Sequence, residues 1–182
     1  MRRILLAIVL VMSISSVTSA ESQKHWRLAG SYTIPTFSDT QDLAGNAWGV
    51  GFDYSFLGPE EDESMGGDIS LAVGYKRFSK DHTPGSFSLN RVLVGLKWRG
   101  GSGATCDRQG LYGGVGVGLA LIDSVDSVAG ANVDNNRATL EWSVFGGANI
   151  ASLWFAEVGY NSFGRFLDLN WGNVDLRVGL RL

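Results

Sequence analysis

Eight segments of the chain alternate large apolar side chains with small or polar ones. In AWGVGFDYSF, residues 47–56, the bulky residues occupy the even positions, whereas small residues and Asp53 occupy the odd ones. This period of two is typical of β-strands, in which successive side chains point to opposite faces of the sheet. The other segments with this pattern are residues 26–34, 68–78, 91–99, 111–121, 138–148, 154–161 and 174–182. No segment keeps helical periodicity over three turns, so the pattern predicts an all-β chain.

Polar sequences with turn-forming residues connect the eight segments. An even number of antiparallel strands joined in this way predicts a closed eight-stranded antiparallel up-and-down β-barrel, because closure leaves no unpaired sheet edge. Two long connections, DSVDSVAGANVDNNR (123–137) and SFGRFLDLNWGN (162–173), are predicted to be exposed loops. Exposed loops on a rigid scaffold are common sites of recognition, so these two segments are the candidate partner surfaces.

The bulky face of each strand has to meet either a protein core or lipid. An eight-stranded barrel interior is only just wide enough for side chains to fill it, and the large faces together would overfill it. They include five tryptophans, Trp26, Trp48, Trp98, Trp142 and Trp154. A two-sheet sandwich could hold them, but it would expose Gly114, Gly116 and Gly118 along one strand, where glycine packs nothing. The inverted arrangement, with apolar residues facing lipid and small or polar residues inside, is the pattern of transmembrane barrels.

The predicted inner face carries a set of charged residues. It comprises Arg27, Asp53, Lys76, Arg91, Lys97, Glu141, Glu157, Asp175, Arg177 and Arg181. A basic residue turned toward mid-bilayer would cost ~2–4 kcal/mol, which favours this shared inward face. Buried charges need partners, so we expect ion pairs between Arg27 and Asp53 and between Glu157 and Arg177. A lumen filled and neutralised in this way is the favoured interpretation, and a gated ion path through the network is the alternative.

Aromatic residues are predicted to form two girdles at the membrane–water boundaries. With the mature N-terminus on the periplasmic side, the lower girdle would contain Trp26, Phe56, Trp98 and Trp154. The upper girdle would contain Tyr32, Trp48, Tyr75 and Tyr160.

The N-terminus has the features of a secretory signal peptide. Arg2 and Arg3 precede an apolar run from Ile4 to Met12, and Thr18 and Ala20 stand where a signal peptidase reads small residues. The run is too short for a spanning helix. We therefore expect residues 1–20 to be removed and residues 21–182 to form the barrel domain.

Composition narrows the function classes further. A net charge of −3 and a pI near 5.3 give no support for nucleic-acid binding. Cys106 is the single cysteine, so no internal disulfide can form, and an incidental free thiol is the favoured interpretation. The acidic segment 58–68 lacks the ligand order of a calcium loop and is interpreted as a solvated turn. The sequence predicts no cofactor and no metal site.

The export signal, the repeated alternation and the terminal strand VDLRVGLRL resemble the small outer-membrane β-barrels of Gram-negative bacteria, the opacity-protein and OmpA-type transmembrane superfamily. The resemblance covers residues 26–182. It implies location in the bacterial outer membrane, contact with outer-membrane lipid and lipopolysaccharide, and insertion by the assembly machinery through the last strand. That strand ends in Leu182, where the family typically has Phe.

The function expected from these observations is a monomeric barrel with a structural role or a loop-mediated role in surface recognition or adhesion, without catalysis. Two alternatives stay open: an outer-membrane lipid-modifying enzyme of the deacylase or acyltransferase type, and a secreted soluble lipocalin-like ligand-binding barrel. Lipid hydrolysis would need a His oriented by an acid to activate Ser or water. The two histidines, His25 and His82, lie before the first strand and in a predicted loop tip, where solvation is the simpler interpretation.

Overall fold

The computed structural model describes residues 26–57, 67–82, 85–104, 109–128, 131–150 and 153–182. The predicted signal peptide, His25, Cys106 and most of the acidic segment lie outside these residues. The strands are β1 (Trp26–Pro35), β2 (Ala47–Leu57), β3 (Gly67–His82), β4 (Gly85–Gly100), β5 (Gly110–Val128), β6 (Ala131–Asn149), β7 (Trp154–Phe166) and β8 (Leu169–Arg181). One helix, α1 (Ser38–Ala44), joins β1 to β2. No described helix has the length and apolarity to cross a bilayer.

The eight strands close into an up-and-down antiparallel barrel, as the alternation predicts. Each strand pairs with its neighbours in the chain, and β1 pairs with β8 from Arg27–Arg181 to Pro35–Asn173. Successive Cα partners followed around the barrel from Trp26 lead to Gly172, whose carbonyl accepts the Thr36 N–H at 2.8 Å. One circuit around the barrel therefore shifts the strand register by ten residues, from position 26 to position 36. A register shift of this kind requires the strands to tilt relative to the barrel axis.

The barrel has two unlike ends. The termini end carries Trp26 and Leu182, which exchange backbone hydrogen bonds of 2.8 Å. The opposite end, called the hairpin end below, carries α1 and the turns β3–β4, β5–β6 and β7–β8.

The polarity of the barrel is inverted relative to a soluble protein. Trp48 is 72% exposed and Leu176 is 47% exposed, whereas Asp53 is 2% exposed and Arg177 is 8% exposed. Apolar residues line the outside of every strand between the two ends, with Val115, Val117, Leu119 and Leu121 on β5 as an unbroken example. This arrangement excludes the soluble lipocalin-like alternative, in which these side chains would form the core.

Strands β3 to β6 are longer than predicted and extend beyond the barrel at the hairpin end. The predicted loop 123–137 is wrong for most of its length, because β5 and β6 pair as far as Val128–Ala131. The predicted loop tip at His82 is likewise the end of a strand, since β3 and β4 pair as far as His82–Gly85. Serine, aspartate and asparagine favour turns in isolation, but continuous pairing with a neighbouring strand holds them extended here.

The outward-facing apolar residues of the eight strands form a band around the barrel, called the apolar band below. This band ends on the outer face of the four-stranded extension. Three rows of Cα partners cross β3, β4, β5 and β6 in turn. They run Tyr75–Val92–Leu121–Ala138, then Arg77–Asn90–Asp123–Asn136, then Ser79–Ser88–Val125–Asp134. The first row is apolar, with Tyr75 donating its hydroxyl hydrogen to Asn90 at 2.7 Å, and the next two are largely polar. The polar/apolar boundary therefore lies between the first and second rows, and the remainder of this sheet lies outside the apolar band.

Two valines on the outer face of β5 test this boundary. Val117→Arg places a guanidinium in the middle of the apolar band and should lower the free energy of unfolding by about 2–4 kcal/mol. Val125→Arg makes the same change on the same face in the polar row, and should alter stability by less than about 0.5 kcal/mol. Reversible urea unfolding in phospholipid vesicles, followed by tryptophan fluorescence, measures both. Equal losses of unfolding free energy in the two variants would contradict a polar/apolar boundary between the first and second rows.

Candidate functional site

The lumen holds all ten charged residues that were predicted to face inward. Arg27, Asp53, Lys76, Arg91, Glu141, Glu157, Asp175, Arg177 and Arg181 are buried, and the Lys97 side chain is 11% exposed. They come from seven of the eight strands, so the lumen charges are held by the barrel as a whole.

Asp53 on β2 is the centre of the first charge cluster. It pairs with Arg99, with Lys97 at 3.5 Å and with Arg177 at 3.4 Å. Arg177 also reaches Glu157 at 2.8 Å, which is the expected pair across β7 and β8. Lys97 bridges the same two carboxylates, with its Nζ 3.5 Å from Glu157. Three cations therefore share two carboxylates, and each charge removed from water has a partner.

The expected ion pair between Arg27 and Asp53 does not form, although the two residues are Cα partners. Arg27 instead donates to the Ala104 carbonyl at 2.9 Å, and its guanidinium lies over the rings of Tyr112 and Phe155. The physical reason is reach across the lumen, since Arg99 from β4 occupies the Asp53 carboxylate. Adjacent position on neighbouring strands does not decide pairing when long side chains can cross the barrel.

A second charge cluster lies around Asp175. This carboxylate pairs with Lys76 and accepts hydrogen bonds from Thr33 at 2.5 Å and from Asn161 at 2.7 Å. Next to it Arg91 pairs with Glu141 at 2.9 Å and also donates to Asn161 at 3.3 Å. Asn161 thus joins the two ion pairs.

Two charged lumen residues were missed by the sequence analysis. Arg99 and Asp68 are both buried and pair at 3.1 Å, and Arg99 also donates to Ser70 at 2.6 Å. The alternation contained the signal, because Arg99 is two positions from Lys97 and Asp68 is two positions from Ser70. Both stand at the ends of predicted strands, and the interpretation of the acidic segment as a solvated turn is wrong for Asp68, which is buried.

Inward-facing glycines make room for the long charged side chains. A Cβ on Gly51 would lie 2.9 Å from the Arg177 Nη2, and one on Gly49 would lie 2.7 Å from the Lys76 Cγ. The small residues inside the barrel thus leave the space that the side chains of the charge clusters occupy. The space left between the clusters is a cavity of about 60 Å³, lined by residues of both. It has room for about four to six water molecules.

Apolar packing closes the lumen at the hairpin end. Trp171 is fully buried and packs against Phe78, Phe87, Phe163 and Phe166, with ring centroids 5.3–6.4 Å apart. We call these five residues the aromatic cap. Three of them lie in segment 162–173, for which the sequence predicts an exposed loop. That prediction is wrong because β7 and β8 continue to a two-residue turn at Leu167 and Asp168. The Trp171 indole N–H is satisfied by the Phe166 carbonyl at 3.0 Å.

The termini end is closed by a different set of contacts. Ala104, from the β4–β5 connection, is fully buried with Tyr112 and Phe145. Asn149 donates to the Gly103 carbonyl at 2.9 Å and so holds this connection against the barrel. Among the described residues, the charged middle of the lumen is bracketed by packed aromatic groups at both ends.

The predicted girdle residues lie on the outer surface. Phe56, Trp98 and Trp154 are exposed toward the termini end and Trp48 and Tyr75 toward the hairpin end, while Trp26, Tyr32 and Tyr160 are half-buried. Neighbouring rings cover the three half-buried residues. The distance between ring centroids is 4.3 Å for Trp26 and Tyr54, 4.6 Å for Tyr32 and Trp48, and 5.5 Å for Tyr160 and Trp142. Trp142 thus joins the upper aromatic set, which the sequence analysis did not predict.

The β6 edge beyond the barrel is unpaired on one side. β6 pairs with β7 only from Trp142–Ser162 to Asn149–Phe155, whereas it pairs with β5 along its whole length. At a register shift between Ser162 and Arg165, where Gly164 has φ 76°, β7 turns away from β6. Within the described part of the chain, residues 131–136 of β6 therefore have no partner strand on that side and form a free strand edge outside the apolar band. This edge is the second candidate site.

The described residues show little that could hold a metal or perform acid–base catalysis. They contain no group of His, Cys, Asp and Glu able to bind a metal ion. His82 lies at the end of β3, and its Nδ1 has no hydrogen-bond partner in the described part of the chain. Among the described residues, no acid therefore orients His82 in the way that acid–base catalysis by His uses.

Comparison with known proteins agrees with this architecture. The OmpA-like transmembrane domain family matches residues 107–173. The N-terminal β-barrel domain of OprF from Pseudomonas aeruginosa superposes with a TM-score of 0.58 at 15% identity, covering 88% of this chain and 100% of that one. The fold is that of small outer-membrane β-barrels. The attachment invasion locus protein Ail of Yersinia pestis also superposes on this barrel with a TM-score of 0.58, at 14% identity and with the same coverage. A search of curated protein sequences finds no match.

The glycine beneath Arg177 can be tested against its own cross-strand partner in the barrel. Gly51 and Gly74 are Cα partners, but a Cβ on Gly74 would meet only the Val50 carbonyl, at 3.7 Å. Gly51→Ala should destabilise the barrel by about 1 kcal/mol or more because Arg177 has to move. Gly74→Ala should be neutral or slightly stabilising, since it lowers the entropy of the unfolded chain. Urea midpoints in detergent micelles measure both, and a larger loss for Gly74→Ala would contradict the packing described.

The Arg91–Glu141 pair tests whether the lumen charges depend on one another. Arg91→Met leaves the buried Glu141 without its cation and should cost about 3–5 kcal/mol. Arg91→Met with Glu141→Met removes both charges and should recover most of that loss, because two well-packed apolar side chains replace a buried ion pair at little cost. The free energies of unfolding of the single and double variants, both measured in phospholipid vesicles, test this expectation. A double variant less stable than the single one would show that Glu141 is stabilised by other groups.

Proposed function

We propose that this protein is a non-catalytic outer-membrane surface protein that recognises an extended peptide segment of a partner through the free edge of β6. The unpaired edge at residues 131–136 carries the proposal. A row of free N–H and C=O groups on an exposed strand is a template for pairing with another chain, and recognition by strand addition uses such edges.

The direction of the free backbone groups follows from the hairpin geometry. Val128 and Ala131 are Cα partners at the β5–β6 turn, and the pair flanking a two-residue turn is hydrogen-bonded. Odd-numbered residues of β6 therefore bond to β5, and the backbone groups of Asn132, Asp134 and Asn136 point away from it. These three residues supply the main-chain donors and acceptors of the edge.

Charge favours a basic partner segment. On the extension beyond the apolar band, Asp81, Asp123 and Asp134 are exposed. Their carboxylates form no ion pair among the described residues. A peptide strand added beside β6 would lie next to Asp134, so a Lys or Arg at that position would be attracted by its carboxylate, which gives specificity on top of main-chain pairing.

The remaining features of the proposal concern location and assembly. The mature chain starts at Glu21 after signal cleavage, the hairpin end faces the cell exterior, and the barrel acts as a monomer in contact with outer-membrane lipid and lipopolysaccharide. Insertion uses β8, whose outward residues Val174, Leu176, Val178 and Leu180 keep the apolar alternation to Leu182. The packed ends of the lumen and the unoriented His82 support a role without transport or catalysis.

A phage-displayed library of random peptides, selected on the protein in phosphatidylcholine nanodiscs, tests the edge. We expect enrichment of β-prone peptides carrying basic residues. Asp134→Pro with Asn136→Pro should abolish their binding, because proline removes two of the three edge donors while leaving the β5 ladder intact.

The matched control is Asp134→Ala with Asn136→Ala, which keeps the backbone N–H groups and should retain more than half of the binding signal. Heat-modifiable gel migration reports whether each variant is folded. Enrichment no greater than on empty nanodiscs, or equal binding by the proline variant, would overturn the proposal.

A further inference from the structure

The free edge of β6 carries an acidic, a basic and an apolar side chain, each exposed. Leu140 and Trp142 face lipid, so even-numbered residues of β6 lie on the outer face of the sheet and odd-numbered residues on the inner face. Asp134 is therefore on the outer face, whereas Val133 and Arg137 are on the inner face. Val133 is 58% exposed, and Asp134 and Arg137 are exposed as well. All three can contact side chains of a strand added beside β6.

The two charged residues of the edge have no counter-ion in the described part of the chain. Outside the lumen, the ion pair formed by described residues joins Lys80 to Asp42, so neither Asp134 nor Arg137 is paired there. Opposite charges directly across two strands stabilise strand pairing, and like charges destabilise it. An added strand therefore gains most from a basic residue next to Asp134 and an acidic residue next to Arg137.

Two side-chain hydrogen bonds mark the lower limit of the free edge. Thr139 donates from Oγ1 to the Phe163 carbonyl of β7 at 3.1 Å, and Arg137 donates from Nη1 to the Arg165 carbonyl at 3.2 Å. Because the threonine side chain is short, β7 lies close to β6 at Thr139 and leaves no room for another strand. An added strand therefore ends next to Arg137, which limits how its residues can be aligned with β6.

We propose that the partner segment bound by the β6 edge runs antiparallel to β6 and carries, from its N-terminus, an acidic residue, two variable residues, a basic residue and an apolar residue. This inference rests on the proposed function and specifies the partner of the same site. The acidic residue lies next to Arg137, the basic residue next to Asp134 and the apolar residue next to Val133. The spacing follows from the numbering of β6, because positions 137, 134 and 133 face the first, fourth and fifth residues of such a strand.

The antiparallel direction continues the sheet that the partner joins. β3, β4, β5 and β6 pair antiparallel throughout the extension. Antiparallel pairing is also slightly more stable per residue than parallel pairing. A parallel partner would need the reverse order, with its basic residue before its acidic one, so the order of the two charges reports the direction of the strand.

Three ten-residue peptides test the pattern on the protein in phosphatidylcholine nanodiscs. All are built on threonine, which favours extended strands. The first has Glu, two threonines, Lys and Val at its centre, and the second has Glu and Lys exchanged, so that composition and net charge are equal. Wild type should bind the first about tenfold more tightly than the second in fluorescence anisotropy. The third has Asn in place of Val and should bind about threefold more weakly than the first, because it lacks the contact with Val133.

Exchange of the two edge charges provides the decisive variant. Asp134→Lys with Arg137→Glu should bind the second peptide more tightly than the first, because each peptide charge then meets its opposite. The matched control, Arg77→Glu with Asp42→Lys, makes the same two charge changes at exposed positions of β3 and α1 and should keep the wild-type preference. Heat-modifiable gel migration reports whether each variant is folded.

The outcomes separate this inference from the proposed function. Equal affinity for the first two peptides, with binding of both lost in Asp134→Pro with Asn136→Pro, would refute the charge order and leave recognition by the edge intact. Tighter binding of the second peptide by wild type would refute the antiparallel direction, and equal binding of the third and first would refute the apolar position. Absence of binding by all three would overturn the inference, whereas the random peptide library tests the edge independently.

Discussion

A bilayer offers no hydrogen bonds, so every backbone N–H and C=O within it has to be satisfied inside the protein. The pairing of β1 with β8 meets this constraint by closing the sheet, and it dictates the rest of the structure. Once the cylinder is closed, each strand has one face toward hydrocarbon and one toward a narrow lumen. Charged side chains can lie only inward at this depth, and they then depend on one another because no water reaches them in bulk.

The lumen is filled by two kinds of residue that depend on each other. Glycines such as Gly51 leave space beside the strand, and long side chains such as Arg177 cross that space to reach carboxylates on distant strands. Asp53 and Asp175 each gather cations from several strands, so the charge clusters tie together parts of the barrel that share no backbone ladder. Packed aromatic groups exclude solvent from both ends.

The aromatic cap also accounts for the exposed surface that we associate with recognition. Phe163, Phe166 and Trp171 bring the β7–β8 hairpin over the mouth of the barrel, and Gly164 allows β7 to bend there. β6 loses its partner strand at that height while β3, β4 and β5 continue beside it. The same packing that closes the lumen therefore leaves a free strand edge and brings Arg137 against Arg165.

The alternation in the sequence by itself determined the barrel, its eight strands, the inverted polarity and the inward direction of the ten charged residues, because side-chain direction in a strand depends only on parity. It did not determine which charges pair. Asp53 pairs with Arg99 rather than Arg27, since long side chains cross the lumen and distance there is set by barrel closure. Nor did it determine where strands end: residues 123–137 are rich in turn formers and become strand only because β4 and β6 pair with β5. Trp171 lies in a segment with loop composition, and it is buried because three other strands bring phenylalanines to the same place, which is a property of the closed tertiary structure alone.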